Sequence, residues 1–381
     1  MSKYMQYHYW VLSSSSYSQL LELDERIRRD RRIPRCALRV YKYSSFQYLF
    51  SSGNNQALLN ATGHDHRTFD LLLQKFRFTY DTHYVQEHTG IIARKTKIGR
   101  PRHLNATGAL GLVLMWYRTR GSCARSLAML FGLTSSPMYV WLKFTRKVLL
   151  QVLSSNEDSK VILPSLEKVQ FFHEVIALKY PLMGEVWGAV DGLKLLIQKA
   201  VSDRKQNQLY NGWTHGHYIN CVFVFCPDGK IPLCLLNAPG TFHDSTMADY
   251  GIYEGIEQIY NLCGAKIVCD SAFNVAEAEY LIKSAQTDPL NAELLRINRE
   301  ATSIRQLSEW GMRMIQGSFP RLKESLFYEE KGDRHVILRL MVNLYNFTCT
   351  NIGINTIQNS YMDKTNYFGH GEIAECANGM L

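Results

Sequence analysis

Two short, largely apolar runs, Val186–Val190 and Ala265–Cys269, each lead straight into an acidic residue, Asp191 and Asp270. Apolar runs of this length, bounded by turn formers, are the sequence form of a buried strand. They constrain the fold strongly: two buried strands, each delivering a carboxylate at its end. A third acid, Glu309, sits in the helix-like stretch Ser308-Glu309-Trp310-Gly311-Met312-Arg313, and Asp244, after His243, is a candidate fourth. An aspartate just past a strand often serves only as a turn former, because its short side chain can bond its own backbone. The order strand-Asp, strand-Asp, helix-Glu supports a chemical reading as well. Oxygen-only ligands suit hard cations such as magnesium or manganese. Two such ions about 3.5–4 Å apart can clamp the attacking and leaving oxygens of a phosphodiester.

The surrounding pattern is α/β. Val186–Val190 and Leu195–Lys199 read as a first hairpin. Tyr218–Phe225 and Ile231–Asn237 read as a second, joined by the turn Pro227-Asp228-Gly229-Lys230. Helices are expected at Leu166–Leu178, Ser245–Tyr260, Val275–Ser284 and Ile304–Gln316, with a buried strand at Ile267–Cys269. Trp213 is expected to anchor a core or, as the alternative, to stack on a base, and Asp203, Arg204 and Lys205 to lie in a polar loop. On the helix of Glu309, Arg313 is placed to steady the carboxylate from one turn away.

Charge separates the chain into two parts. Residues 1–150 carry 23 Lys and Arg against 8 Asp and Glu, whereas the remainder carries 20 against 26. A basic front half suits a polyanion grip. Within it lie a burst at Arg26–Arg35 and a stretch of five cations from Arg94 to Arg102: Arg94, Lys95, Lys97, Arg100 and Arg102. The second stretch reads as a phosphate-neutralising or nuclear-import patch. Apolar residues from Leu58 to Phe76 indicate helices broken near Gly63.

Three further helices follow: an apolar one around Leu110–Tyr117, a short one at Leu127–Phe131 capped by Ser122, and a third from about Ser136. Gly132-Leu133-Thr134 makes the tight turn between the last two, with Pro137 in the first turn of the third. Two short helices about a Gly-containing turn form a helix-turn-helix pattern. The third helix then becomes the one that enters a major groove, leading with Ser136, Met138, Tyr139 and Lys143, while Arg146 and Lys147 lie off its apolar stripe.

The nine cysteines form no Cys-x-x-Cys pair, so neither zinc ligation nor a disulfide framework is indicated. No signal-peptide core opens the chain, and the longest apolar stretch falls short of a membrane span. A soluble, intracellular protein is expected.

From Val186 to about Phe347 the chain resembles the DDE endonuclease domain of PIF/Harbinger transposases and their domesticated nuclease relatives. The matching words are Val190-Asp191-Gly192, Tyr210-Asn211-Gly212-Trp213, Gly240-Thr241-Phe242-His243-Asp244-Ser245, Cys269-Asp270-Ser271-Ala272-Phe273, and Glu309-Trp310-Gly311 running on to Phe319-Pro320-Arg321-Leu322-Lys323. The chain departs at Ser271-Ala272-Phe273, where many members carry Ser-Gly-Tyr. The resemblance implies an RNase H-like catalytic core, a mixed sheet flanked by helices, preceded by the all-α helix-turn-helix-like region. The implied organisation is a basic arm with helices (1–100), a DNA-binding region (101–160), a nuclease domain (161–358) and a polar tail (359–381). Asp191, Asp270 and Glu309 take the catalytic places, and together with Asp244 they would hold two Mg2+ or Mn2+ ions. DNA is the implied substrate, gripped through Arg94, Lys95, Lys97, Arg100, Arg102, Tyr139, Lys143, Arg146 and Lys147. The resemblance further implies nuclear localisation, homo-oligomers on DNA and a Myb-like DNA-binding partner. The alternative is a domesticated, catalytically silent DNA-binding protein.

Overall fold

The computed structural model describes residues 33–85, 92–94, 102–121, 124–200, 202–273, 278–283, 291–327, 331–353 and 355–362. Each early helix starts where its sequence supplies a cap. Ser44, Asn54, Asp65 and Asn105 accept the orphan N–H of Gln47, Ala57, Thr68 and Gly108. These caps open α1 (Ser45–Ser51), α2 (Asn55–Thr62), α3 (His66–Thr82) and α4 (Ala106–Arg118). A small hairpin, β1 (His83–Val85) and β2 (Ile92–Arg94), follows α3. Helix α4 is buried almost all round, as its unbroken apolar run requires. Around it pack α3 and, after α5 (Ala124–Leu130), the long α6 (Ser135–Ser154).

After α7 (Leu166–Lys179) the chain forms a mixed sheet. Its centre is β3 (Val186–Leu196), antiparallel to β5 (Gly216–Phe225) on one side and parallel to β7 (Lys266–Cys269) on the other. Strand β6 (Leu233–Pro239) and the two-residue β4 (Tyr210–Asn211) pair with β5, and β8 (Leu281–Lys283) runs parallel to β7. The spatial order is therefore β6-β5-β3-β7-β8. Between these strands lie α8 (Asp203–Leu209), α9 (Asp244–Ala248) and α10 (Ile252–Cys263). Two long helices close the fold, α11 (Ala292–Ser318) and α12 (Lys331–Asn351), followed by the short α13 (Thr356–Tyr361).

Each face of the sheet has its own core. Val190, Val222, Ile267 and Cys269 pack with Phe172 of α7, Met247 of α9 and Ile256 of α10. On the other face, Ala189, Leu193, Phe225 and Val268 pack with Ile304, Leu307 and Ile315 of α11. This second core runs on without interruption through α12 to Phe46, Leu110 and Phe144, so the early helices and the sheet share one apolar interior. Buried asparagines on α12 secure the join. Asn346 bonds both backbone groups of Ile231, at 2.8 and 3.0 Å, and Asn343 donates to Ser159 O at 2.7 Å.

Several local expectations are corrected. Residues 186–196 form one continuous strand in place of a hairpin, because β3 pairs with neighbours on both edges. The expected helix at Ser245–Tyr260 is two, α9 and α10, separated at Gly251, whose φ of 103° no helix accommodates. Residues 281–283 are strand where a helix was expected, the pairing with β7 overriding local preference. Asp203, Arg204 and Lys205 start α8 and do not form a loop. Trp213 is 88% exposed and anchors no core. The cap expected at Ser122 and the arm at Arg26–Arg32 lie outside the described residues. The described cysteines are all free thiols. No described helix is long and apolar enough to cross a membrane.

Candidate active site

Strand register brings the first two acids together. Ala189 of β3 pairs with Val268 of the parallel β7. Asp191 and Asp270 each lie two residues beyond that pair, level on adjacent chains. Side chains alternate with period two, so Asp191 shares the face of Ala189 and Leu193, the face that α11 covers. Asp270 stands just past the end of β7, its Oδ1 accepting the N–H of Ala272 at 2.9 Å. The turn-forming role and the chemical role are thus compatible in one residue.

Helix α11 carries Glu309 over the same face. It can approach because residue 311 is glycine: a β-carbon there would stand 2.5 and 2.6 Å from Cδ1 and Cζ of Phe225. Glu309 itself is turned toward Arg305, one helical turn earlier, with Nη2 to Oε1 at 3.4 Å. Arg305 therefore takes the steadying role expected of Arg313. It is also close enough to Asp191 to favour that carboxylate's charge. Arg305 thus acts on two of the acids at once.

Asp244 comes from the opposite side. It opens α9, and its carboxylate sits over Gly192, where a β-carbon would be 2.7 Å from Cγ and from both oxygens. Gly192 points away from the Asp191 face, toward the side that holds α9. Asp191 and the helix of Glu309 thus share one face of β3 and Asp244 lies against the other, while Asp270, past the end of β7, is near enough for its charge to act on both aspartates. Asp244 is nevertheless near enough for its charge to act on Asp191, as that of Asp270 does.

The electrostatics register this crowding. Burial, then the charges of Asp270 and Asp244, push Asp191 up to about 6, although the Gly192 N–H at 2.7 Å and Arg305 work against the shift. Asp244 is raised too, by burial and then by Asp270, with Lys194 and His243 opposing. The neighbouring carboxylates thus make Asp191 and Asp244 harder to ionise, a burden that a divalent cation would relieve. The donor set is all carboxylate oxygen and fits magnesium or manganese. Among the described residues no three Asp, Glu, His or Cys side chains are drawn tightly enough to enclose an ion. Ligation by Glu309 would require it to leave Arg305.

Residues 190–346 match the family model described as DDE superfamily endonuclease. The matched stretch begins one residue before Asp191, contains Asp244, Asp270 and Glu309, and ends within α12. No curated protein and no solved structure matches the chain. The match supports a nuclease- or transposase-like function for this part of the chain.

The residues expected to grip DNA lie elsewhere. Lys95, Lys97 and Arg100 are outside the described residues, and of Arg94 only the backbone is described. Arg102 turns inward, its guanidinium 4.4 Å from the Tyr80 ring centre and bonded to Tyr80 O and His83 O. On α6, Met138 is fully buried and so does not lead into a groove. Arg146, expected off the apolar stripe, is buried against Trp116, with its guanidinium 4.7 Å from the ring centre. Lys143 pairs with Asp333 of α12 at 2.8 Å, Lys147 is half-buried, and Tyr139 is partly exposed. Arg305 received no role from the sequence, although its i,i+4 spacing from Glu309 is a signal. Gly192 and Gly311 stand within the matching words, but their packing roles were not read there.

Proposed function

We propose that this chain is a metal-dependent DNA endonuclease of the DDE type, with Asp191, Asp270 and Glu309 as its catalytic acids. The observation that carries the reading is the placement of Asp191 and Asp270. Each lies two residues beyond the Ala189–Val268 pair of parallel strands, the charge of Asp270 reaches Asp191, and the helix that bears Glu309 covers the Asp191 face. The strand order β6-β5-β3-β7-β8, with three antiparallel strands followed by two parallel additions, supports an RNase H-like core. The sequence words around the acids support the PIF/Harbinger branch of the DDE superfamily, with nuclear DNA as substrate, a Myb-like partner and homo-oligomers on DNA.

When bound, a pair of divalent cations would activate the attacking oxygen and stabilise the leaving 3′ oxygen. The chain's own residues prepare for this. Asp191 and Asp270 concentrate negative charge at the end of β7. Arg305 holds part of that charge in check, and Glu309 can turn from Arg305 toward the two aspartates by side-chain rotation on a fixed helix. Asp244, packed over Gly192, adds its negative charge beside Asp191.

A second reading has its own support. The Arg305–Glu309 ion pair and the loose spacing of the acids suit a silent DNA-binding scaffold derived from a transposase. Plasmid nicking by the purified chain with magnesium separates the two. The nuclease reading expects nicking that Asp191→Ala, Asp270→Ala and Glu309→Ala each abolish. Undiminished nicking in these variants refutes it, and absence of nicking on every substrate tried favours the scaffold.

A further inference from the structure

A second site lies away from the carboxylates, where α4 and α6 meet α12 and the segment after α11. It is a cleft of about 430 Å³, within the roughly 300–1,000 Å³ usual for small-ligand sites. Lys143 and Arg146 line it from α6, and Arg321 and Arg334 from the sheet-bearing half. Among the described residues lining it there is one acid, Asp333, so the cleft carries a clear cationic excess.

The arginines are held in fixed geometry, and two of them are set deep. Arg146 and Arg334 are each 5% exposed. The guanidinium carbons of Arg146 and Arg321 stand 4.7 and 5.1 Å from the centre of the Trp116 ring. Arg321 also donates to Gly121 O at 2.6 Å, and Arg334 donates to Phe327 O at 2.8 Å and, through Nε, to Asn237 Oδ1 at 2.5 Å. Guanidiniums held in a fixed orientation are preorganised for phosphate oxygens. The lining also includes two rings left open to solvent, Tyr139 at 40% and Phe327 at 53%. Exposed aromatic faces beside fixed cations are what a nucleobase and its phosphate together require.

We propose that this cleft binds a nucleotide, its phosphate on the arginines and its base stacked on Tyr139 or Phe327. The nucleotide can be free or one unit of a single DNA strand, since the recognising chemistry is the same. The proposal is independent of the carboxylate site, and its test contains EDTA, so loss of nuclease activity leaves it standing.

The experiment is calorimetric titration of the full chain with dAMP, with inorganic pyrophosphate and with a short single strand. Tyr139→Ala and Phe327→Ala, both at exposed rings, together should weaken dAMP by roughly tenfold or more and leave pyrophosphate unchanged. Arg321→Gln should weaken both. Should Arg321→Gln fail to fold, the two aromatic variants still decide. Saturable binding of dAMP in preference to the strand assigns the site to free nucleotides. Tighter binding of the strand, with the same sensitivity to the aromatic variants, assigns it to DNA. Equal loss of pyrophosphate and dAMP in the aromatic variants, or dAMP and strand binding that no variant changes, overturns the proposal.

Discussion

The carboxylate of Asp244 occupies the space that a side chain at Gly192 would fill, a β-carbon there falling 2.7 Å from Cγ and both carboxylate oxygens. The residue next to Asp191 thereby fixes where the fourth acid stands. Gly192→Ala should push Asp244 away, destabilise the chain by about 1–3 kcal/mol as overpacking does, and lower nicking. Gly192→Ala combined with Asp244→Ala should recover most of the stability, read as the thermal midpoint. A double variant no more stable than Gly192→Ala alone would show that the two residues do not compete for this space.

Asp191 makes the fold pH-sensitive in a defined direction. Its carboxyl is raised to about 6, against roughly 3.9 in an unfolded chain. A raised folded value means stability that is fully present below about 4 and is lost as pH climbs through about 6. Without divalent metal, Asp191→Asn should therefore be more stable than the parent at pH 7.5, by about 1–3 kcal/mol, and no more stable at pH 4. Magnesium should raise the parent's thermal midpoint at pH 7.5 much more than at pH 5, because ion and proton compete for the same oxygens. Thermal scans at three pH values with and without magnesium check both effects. A magnesium shift as large at pH 5 would remove Asp191 from the ion site.

Arg305 acts on two acids at once, as the partner of Glu309 and as a charge that eases ionisation of Asp191. The ion pair is half-exposed and adds only about 0.3–0.5 kcal/mol to stability, so Arg305→Gln should fold normally. It should release Glu309 and remove a competing cation, tightening magnesium binding several-fold at pH 8 by calorimetry. It should also move the pH midpoint of magnesium binding upward, since Asp191 loses a favourable charge. Weaker binding at pH 8 would make Arg305 a supporting residue of the ion site in place of a competitor.

Gly311 sets how closely α11 approaches the sheet. A side chain there meets the ring of Phe225, so Gly311→Leu should cost about 1–3 kcal/mol and withdraw Glu309 from the two aspartates, abolishing nicking. Pairing it with Phe225→Ala, which vacates the space, should restore stability first and nicking in part. Full nicking by Gly311→Leu alone would show that the height of this helix is not critical.

The sheet, its acids and the helix of Glu309 were legible because each has a local signature: an apolar run, an aspartate after it, an apolar stripe. What was not legible is what non-local contacts decide. Residues 281–283 are a strand because β7 offers a parallel edge, and β3 runs unbroken because it has partners on both sides. The inward turn of Arg102 and Arg146 was hidden for the same reason. An arginine's stem is apolar and its head stacks on aromatic rings, so a cation in the sequence does not mark an exposed position. The separation of Asp244 from Asp191 follows from strand alternation, but only once Gly192 is known to lie beneath it.

Arg146 tests how far α6 serves recognition and how far it serves the fold. Its guanidinium is buried against Trp116, and its Nε donates to Leu142 O at 3.2 Å. Removing a buried, stacked arginine forfeits packing as well as charge. Arg146→Ala should therefore lower stability by about 1–3 kcal/mol, whereas Lys147→Ala, at a half-buried position on the same helix, should change it by less than about 0.5 kcal/mol. If α6 grips DNA through its outer cations, Lys147→Ala should weaken duplex binding uniformly across sequences and reduce its salt dependence by about one unit. Filter binding at several salt concentrations, read beside thermal midpoints, distinguishes the two residues. An Arg146→Ala chain as stable as the parent, with a salt slope reduced like that of Lys147→Ala, would make Arg146 a contact of duplex DNA with no part in holding the fold.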